Sequence, residues 1–125
     1  MGKYRKLVLV VDDDRAVRES LKFSLELEGL VVETYASGAL LLEKGDPGAA
    51  GCLVLDCRMP ELDGFGVIAE LAARHIAVPV VLITAPVTDS VRRRAREAGA
   101  FGLLEKPLLG DELLETVRRA TMTRP

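Results

Sequence analysis

The sequence predicts a single α/β domain: a doubly wound parallel sheet of five strands with helices on both faces. Three observations predict it. Short apolar runs recur along the chain, segments with helical spacing lie between them, and glycine or proline marks most of the joins. Continuous apolar runs without alternation suit strands buried on both faces of a parallel sheet. Strands alternating with helices make right-handed βαβ crossovers, which lay those strands side by side.

The first strand is Leu7-Val8-Leu9-Val10-Val11. The first helix carries Val17, Leu21, Leu25 and Glu28 on one stripe, with Ala16, Phe23 and Leu27 widening its apolar side. Leu30 to Tyr35 makes the second strand, interleaving apolar and polar residues in its second half. A short, weakly amphipathic helix near Ser37 to Lys44 comes next, and Cys52-Leu53-Val54-Leu55 is the third strand. Ile68, Leu71, Ala72 and His75 form the stripe of the third helix, with His75 at its end. Val78 to Ile83 is the fourth strand, and Val91, Ala95 and Ala98 mark the fourth helix. Gly102-Leu103-Leu104 is the fifth strand, and Leu113, Val117 and Ala120 mark the last helix. Gly29, Gly45 to Gly51, Gly99 and Gly110 fall at segment ends, while Pro60 and Pro107 fall in loops just beyond strands. Positions 1–125 read as one domain without internal repeats, and the polar tail from Thr121 to Pro125 reads as the start of a linker.

Composition narrows the function classes. A chain of 125 residues, 49% apolar and 29% charged, buries a core without disulfides or metal staples. A net charge of −2 is too small to point to a nucleic-acid or membrane partner for the whole module. Cys52 and Cys57 do not suggest a disulfide framework, and with a single histidine they make a weak zinc set. The apolar run from Leu7 to Val11 is too short for a signal sequence or a membrane span. A reducing, cytoplasmic setting is expected.

The residues just beyond the apolar runs carry the functional signal. The first run ends in Asp12-Asp13-Asp14, the third in Asp56, the fourth in Thr84 and the fifth in Lys106. In open parallel sheets, ligands bind beyond the carboxyl ends of the strands, where strand order reverses. If the first and third strands are neighbours, as in a 2-1-3-4-5 order, Asp12, Asp13 and Asp56 converge on one crevice, with Thr84 and Lys106 on its other wall. Two carboxylates about 4 Å apart repel by roughly 4 kcal/mol at an effective dielectric near 20. Such a group demands a cation or raised pKa values. Hard oxygen donors favour Mg²⁺, with Mn²⁺ as the alternative. Carboxylate, divalent metal, ammonium and hydroxyl together describe a site for phosphoryl transfer. Asp14 fits a helix N-cap instead.

Val11-Asp12-Asp13-Asp14, Leu55-Asp56-Cys57-Arg58-Met59-Pro60 with Asp63-Gly64, Ile83-Thr84-Ala85 and Glu105-Lys106-Pro107 together resemble the response-regulator receiver domains of two-component signalling. This is the CheY-like superfamily, with a flavodoxin-like (βα)5 fold in strand order 2-1-3-4-5. The resemblance runs from about Lys6 to Ala120. Ala98-Gly99-Ala100 and the Glu105-Lys106-Pro107 ending look closest to FixJ-type receivers, which commonly precede a DNA-binding domain.

The resemblance implies that Asp56 accepts a phosphoryl group from a sensor histidine kinase. It implies Asp13 and Asp56 as direct Mg²⁺ ligands, Asp12 acting through water, and the backbone carbonyl of Arg58 as a further ligand. Thr84, Ala85 and Lys106 would receive the phosphoryl group, and the Lys106–Pro107 peptide would be cis. Gly64 suits the loop leaving the third strand through its freedom to take φ > 0. Phosphorylation would then repack the face made by the fourth helix, fifth strand and fifth helix, which docks a homodimer or output domain. The domain would catalyse only its own phosphorylation and dephosphorylation and would control transcription without contacting nucleic acid or membrane itself.

The resemblance puts Leu103 at the switch position, where receivers usually carry an aromatic residue. Arg58 and Pro86 stand at positions that tune how long the phosphoryl group survives. Arg92, Arg93, Arg94 and Arg96 make the fourth helix basic; a solvated face is the plain reading and a docking face the functional one. Cys57 reads as a small buried side chain. The alternatives are a pseudo-receiver that binds partners without phosphorylation and an aspartyl-nucleophile phosphatase, whose second acid is replaced here by Arg58.

Overall fold

The computed structural model describes residues 6–108 and 110–124. Pro125, the last residue of the polar tail, and positions 1–5 lie outside the described residues. The elements run β1 Leu7–Val11, α1 Arg15–Glu26, β2 Val31–Tyr35, α2 Gly38–Lys44, a 3-10 turn Pro47–Ala49, β3 Cys52–Asp56, α3 Gly64–Ala73, β4 Val80–Thr84, α4 Asp89–Glu97, β5 Gly102–Glu105 and α5 Glu112–Thr121. The strands form one parallel sheet in the order β2-β1-β3-β4-β5.

Side chains alternate across each strand, so every strand feeds two cores. Val8, Val10, Val54, Val81 and Ile83 pack beneath Leu21 and Leu25 of α1 and Leu113, Val117 and Ala120 of α5. Leu9, Val11, Leu53, Leu55 and Leu82 pack against Leu41 of α2, Val67 and Leu71 of α3 and Ala95 of α4. Burial on both faces explains why β1, β3 and β4 read as unbroken apolar runs. Four of the five helices start on side-chain caps: Asp14, Ser37, Asp63 and Thr88 each accept from a backbone N–H in the first turn of the helix they open, whereas Asp111 before α5 does not.

The structure corrects the predicted stripes in places. Phe23 and Leu27 are 66% and 68% exposed, not part of the apolar side of α1. Each lies two residues beyond a buried leucine, roughly 200° round the helix and so facing solvent. Ala16 is also exposed. In α3 the buried pair is Val67 and Leu71, while Ala72 and His75 face solvent. His75 instead lies just past the helix in a left-handed conformation with φ 58°, a helix-ending role. Val78 and Pro79 precede β4 rather than belong to it.

Register matters most for function. Val11 pairs with Leu55, so Asp12 and Asp56 emerge side by side one residue later. Thr84 ends β4 one residue beyond the Asp56–Ile83 pair, and its own partner on β5 is Glu105. Lys106 is the next residue along.

Candidate functional site

The carboxyl ends of β1, β3, β4 and β5 meet in one crevice. Asp12 is fully buried, Asp56 nearly so, and Asp13 is exposed at the mouth. One carboxylate oxygen from each of Asp12, Asp13 and Asp56 lies within 4.8 Å of the other two. Asp12 is held by three groups: its Oδ1 accepts from the Asp14 N–H at 2.9 Å, its Oδ2 from Lys106 Nζ at 2.8 Å, and its carbonyl from Arg18 Nη1 at 2.8 Å. Asp56 Oδ1 accepts from the Arg58 N–H at 3.0 Å and Oδ2 from Lys106 Nζ at 3.2 Å. Lys106 therefore bridges two carboxylates from neighbouring strands. The shorter contact, to Asp12, has no counterpart in the sequence reading, since no local signal fixes the reach of a side chain from the end of β5 to β1.

Burial pushes the Asp56 carboxyl upward, and the charge on Asp12 adds to it, while the Arg58 N–H and Lys106 act against the rise. Burial alone would lower Lys106, but its hydrogen bond to Asp12 and the charges of Asp12 and Asp56 outweigh this and raise it. Three carboxylates facing one ammonium leave the rim negatively charged. The donors are hard oxygens, and that chemistry suits a divalent cation. The cluster could hold a metal.

The other wall is less complete. Thr84 is 1% exposed, and the only group its Oγ1 meets is the neighbouring Cys57 sulfur, a weak acceptor, with no oxygen or nitrogen partner. Its carbonyl accepts from the Lys106 N–H at 2.8 Å. Ala85 and Pro86 are exposed beyond it, and both the Ala85–Pro86 and Lys106–Pro107 peptides are cis. The Val87 N–H donates to Glu105 Oε2 at 2.9 Å, a contact that sequence reasoning did not anticipate. Arg58 is exposed, and Leu103 is half-buried against the α4 side of the sheet. Cys57 is buried, and burial together with the charge of Asp56 pushes its thiol up to about 11, so it is no thiolate at neutral pH.

Gly64 is required for a different reason from the one expected. It does not take a positive φ. A Cβ there would lie 2.6 Å from the carbonyl oxygen of Asp56 and 3.0 Å from Cys57 Cα, so the start of α3 packs directly on the backbone of the site. The four arginines of α4 are all exposed, but Arg94 is not free: its guanidinium stacks 4.1 Å from the centroid of Phe65. Among the described residues, no helix is long and apolar enough to cross a membrane.

Comparison with known proteins matches this geometry to a family. Residues 8–118 match the response regulator receiver domain. The chain is 40% identical over 111 residues to the transcriptional regulatory protein FixJ of Azorhizobium caulinodans, covering 89% of this chain and 53% of that protein. It is 42% identical over 111 residues to the response regulator MprA of Mycobacterium ulcerans, covering 89% and 48%. The solved structure of FixJ-N superposes with a TM-score of 0.85 at 30% identity, covering 95% of both chains. The chain thus spans about half the length of the curated relatives it matches. With motifs, strand order and crevice in agreement, this chain belongs to the response regulator receiver domain family of two-component signalling.

Proposed function

We propose that this domain is a phosphorylation switch in which Asp56 accepts a phosphoryl group from the phosphohistidine of a sensor kinase. The observation that carries the reading is the convergence of Asp12, Asp13 and Asp56 on one point opposite Lys106. An oxygen of Asp56 attacks phosphorus, the phosphorus–nitrogen bond breaks, and the departing imidazole takes up a proton from solvent. The product is an acyl phosphate on Asp56. Asp13 and Asp56 directly, Asp12 through water and the carbonyl of Arg58 are suited to hold Mg²⁺. Such an ion, or Mn²⁺ in its place, would supply positive charge to offset the negative charge of the phosphoryl group.

This chain's own residues do the positioning. The Arg58 N–H fixes the rotation of the Asp56 carboxylate, and Asp14 and Arg18 hold Asp12 from both sides. Lys106 stays charged and moves from Asp12 and Asp56 toward the new phosphoryl oxygens. The Thr84 hydroxyl, buried without an oxygen or nitrogen partner, donates to one of those oxygens, and the small side chain of Ala85 leaves room for the group. Added charge of up to roughly −2 draws these residues inward. Movement of Thr84 then repacks the surface of α4, β5 and α5, through which a second copy or an output domain docks. Leu103 lies in the path of that change, and Arg58 and Pro86 flank the entry of water that ends the phosphorylated state. Residues 1–125 act as this one module, with a linker beginning near the end of α5. By analogy with the relatives named as regulators, the output is control of transcription in the cytoplasm.

Incubation with Mg²⁺ and acetyl phosphate, followed by intact mass measurement, tests the reading. One added phosphoryl group is expected, absent in Asp56→Asn and suppressed by chelation. An unmodified wild-type protein would favour a receiver that binds partners without phosphorylation.

A further inference from the structure

The loop between β4 and α4 leaves the sheet at Thr84 and folds back to β5 three residues later. Two hydrogen bonds close this small ring. The Lys106 N–H donates to the Thr84 carbonyl at 2.8 Å, and the Val87 N–H donates to Glu105 Oε2 at 2.9 Å. Glu105 is the residue paired with Thr84 in the sheet, so its side chain reaches from a fixed strand position to the far end of the loop. At the base of this loop, Thr84 Oγ1 is buried with no acceptor better than the Cys57 sulfur. A buried hydroxyl in that condition favours any movement that brings it an acceptor. The loop nevertheless rests with the hydroxyl poorly satisfied, and beyond the sheet bond at Thr84 the Glu105 carboxylate is the side chain that holds it to β5.

We infer that Glu105 is a positioning residue: a latch that holds the β4–α4 loop at rest and sets how readily Thr84 and Ala85 move to meet a phosphoryl group. The inference rests on the proposed phosphorylation of Asp56. Glu105 touches neither metal ligand nor phosphoryl group; it acts through Val87. Its place in the chain couples the latch to the site. Lys106, the next residue, is bound to Asp12 and Asp56 through its side chain and to the Thr84 carbonyl through its backbone N–H, so the latch and the site share one stretch of chain at the end of β5.

The test compares wild type, Glu105→Ala and Glu105→Gln with Mg²⁺ and acetyl phosphate, reading the initial rate of phosphorylation. Alanine removes the acceptor, and the rate is expected to rise roughly threefold to tenfold, the ratio that an ordinary hydrogen bond supports. Glutamine keeps an acceptor oxygen without the charge and is expected to stay near wild type. An equal rise in both variants would assign the effect to charge repulsion and overturn the latch, as would an alanine variant that is unchanged or slower. Hydrogen exchange at the Val87 amide of the wild type gives a reading without substitution. Protection at rest that is lost on adding beryllium fluoride, a phosphoryl mimic, supports the latch; protection that is absent at rest or survives the mimic overturns it. If no protein gains a phosphoryl group, the functional reading fails; if all gain it at one rate, only the latch fails.

Discussion

The two walls of the crevice are finished to different degrees. On the β1–β3 side, both oxygens of Asp12 and both oxygens of Asp56 accept hydrogen bonds, and Arg18 and Asp14 brace the turn behind them. On the β4 side, the Thr84 hydroxyl is buried without an oxygen or nitrogen partner and its loop is tied to β5 through an exposed carboxylate. A wall whose polar groups are all satisfied is rigid, whereas one with an unsatisfied group has a reason to move. The difference separates the part that binds from the part that responds.

The sharpest way to break this contrast is to damage the finished wall. Lys106→Met leaves Asp12 and Asp56 facing each other without their shared ammonium. Removing one partner from a buried ion pair costs about 3–5 kcal/mol, and the partial exposure of Lys106 argues for the lower end. Urea unfolding of the variant should show that loss, and Mg²⁺ should restore much of it. A variant as stable as wild type in metal-free buffer would mean that the two carboxylates do not share the lysine as described.

A smaller effect of opposite sign is expected from the unfinished wall. Thr84→Val replaces the poorly satisfied hydroxyl with a methyl group of similar size. An unsatisfied buried group costs about 1–3 kcal/mol, so the variant should be more stable by about 1 kcal/mol. The same variant should still accept a phosphoryl group at Asp56 but respond weakly, read as a smaller change in the amide spectrum of α4 on adding beryllium fluoride. Loss of stability in Thr84→Val would show that the contact of the hydroxyl with the Cys57 sulfur outweighs the cost of burying it.

The mildest test is pH. Burial raises the Asp56 pKa, so its proton arrives at a higher pH than for an ordinary carboxyl group. Metal binding needs the ionised form, and Mg²⁺ affinity should therefore fall as pH drops through that raised value. Stability of the metal-free protein runs the other way. The folded state takes up the Asp56 proton more readily than the unfolded chain, so this contribution is full below the unfolded pKa and is lost as pH rises through the folded one. Titration of the Asp56 carboxyl by carbon-13 NMR, with and without Mg²⁺, measures both. A value at or below that of a free aspartate would show that the Arg58 N–H and Lys106 outweigh burial and the charge of Asp12.

Much of the fold was legible because parallel strands buried on both faces leave an uninterrupted apolar signature. Leu7–Val11 and Cys52–Leu55 needed no tertiary knowledge, and the third strand runs only one residue further, to Asp56. The helix faces were less legible. Phe23 and Leu27 are apolar, and composition alone draws them inward, but the angular step of the helix turns them outward. The acids, Thr84 and Lys106 could be proposed from their position after each apolar run, because a parallel sheet gathers its carboxyl ends on one edge.

Sequence by itself determined the alternation of strands and helices and the kinds of side chain that end each strand, since both depend on local pattern. Tertiary structure decided which of those side chains touch. The β1–β3 register set Asp12 beside Asp56, the length of the lysine side chain let Lys106 serve both, and the turn after β4 brought Val87 back to Glu105. Gly64 shows the same division: the sequence put it in the loop leaving β3, whereas it is the first residue of α3, and its reason, the backbone of Asp56 2.6 Å from where a Cβ would sit, exists only once α3 has packed against β3. Distances between residues far apart in sequence are set by register and packing, and no local pattern encodes them.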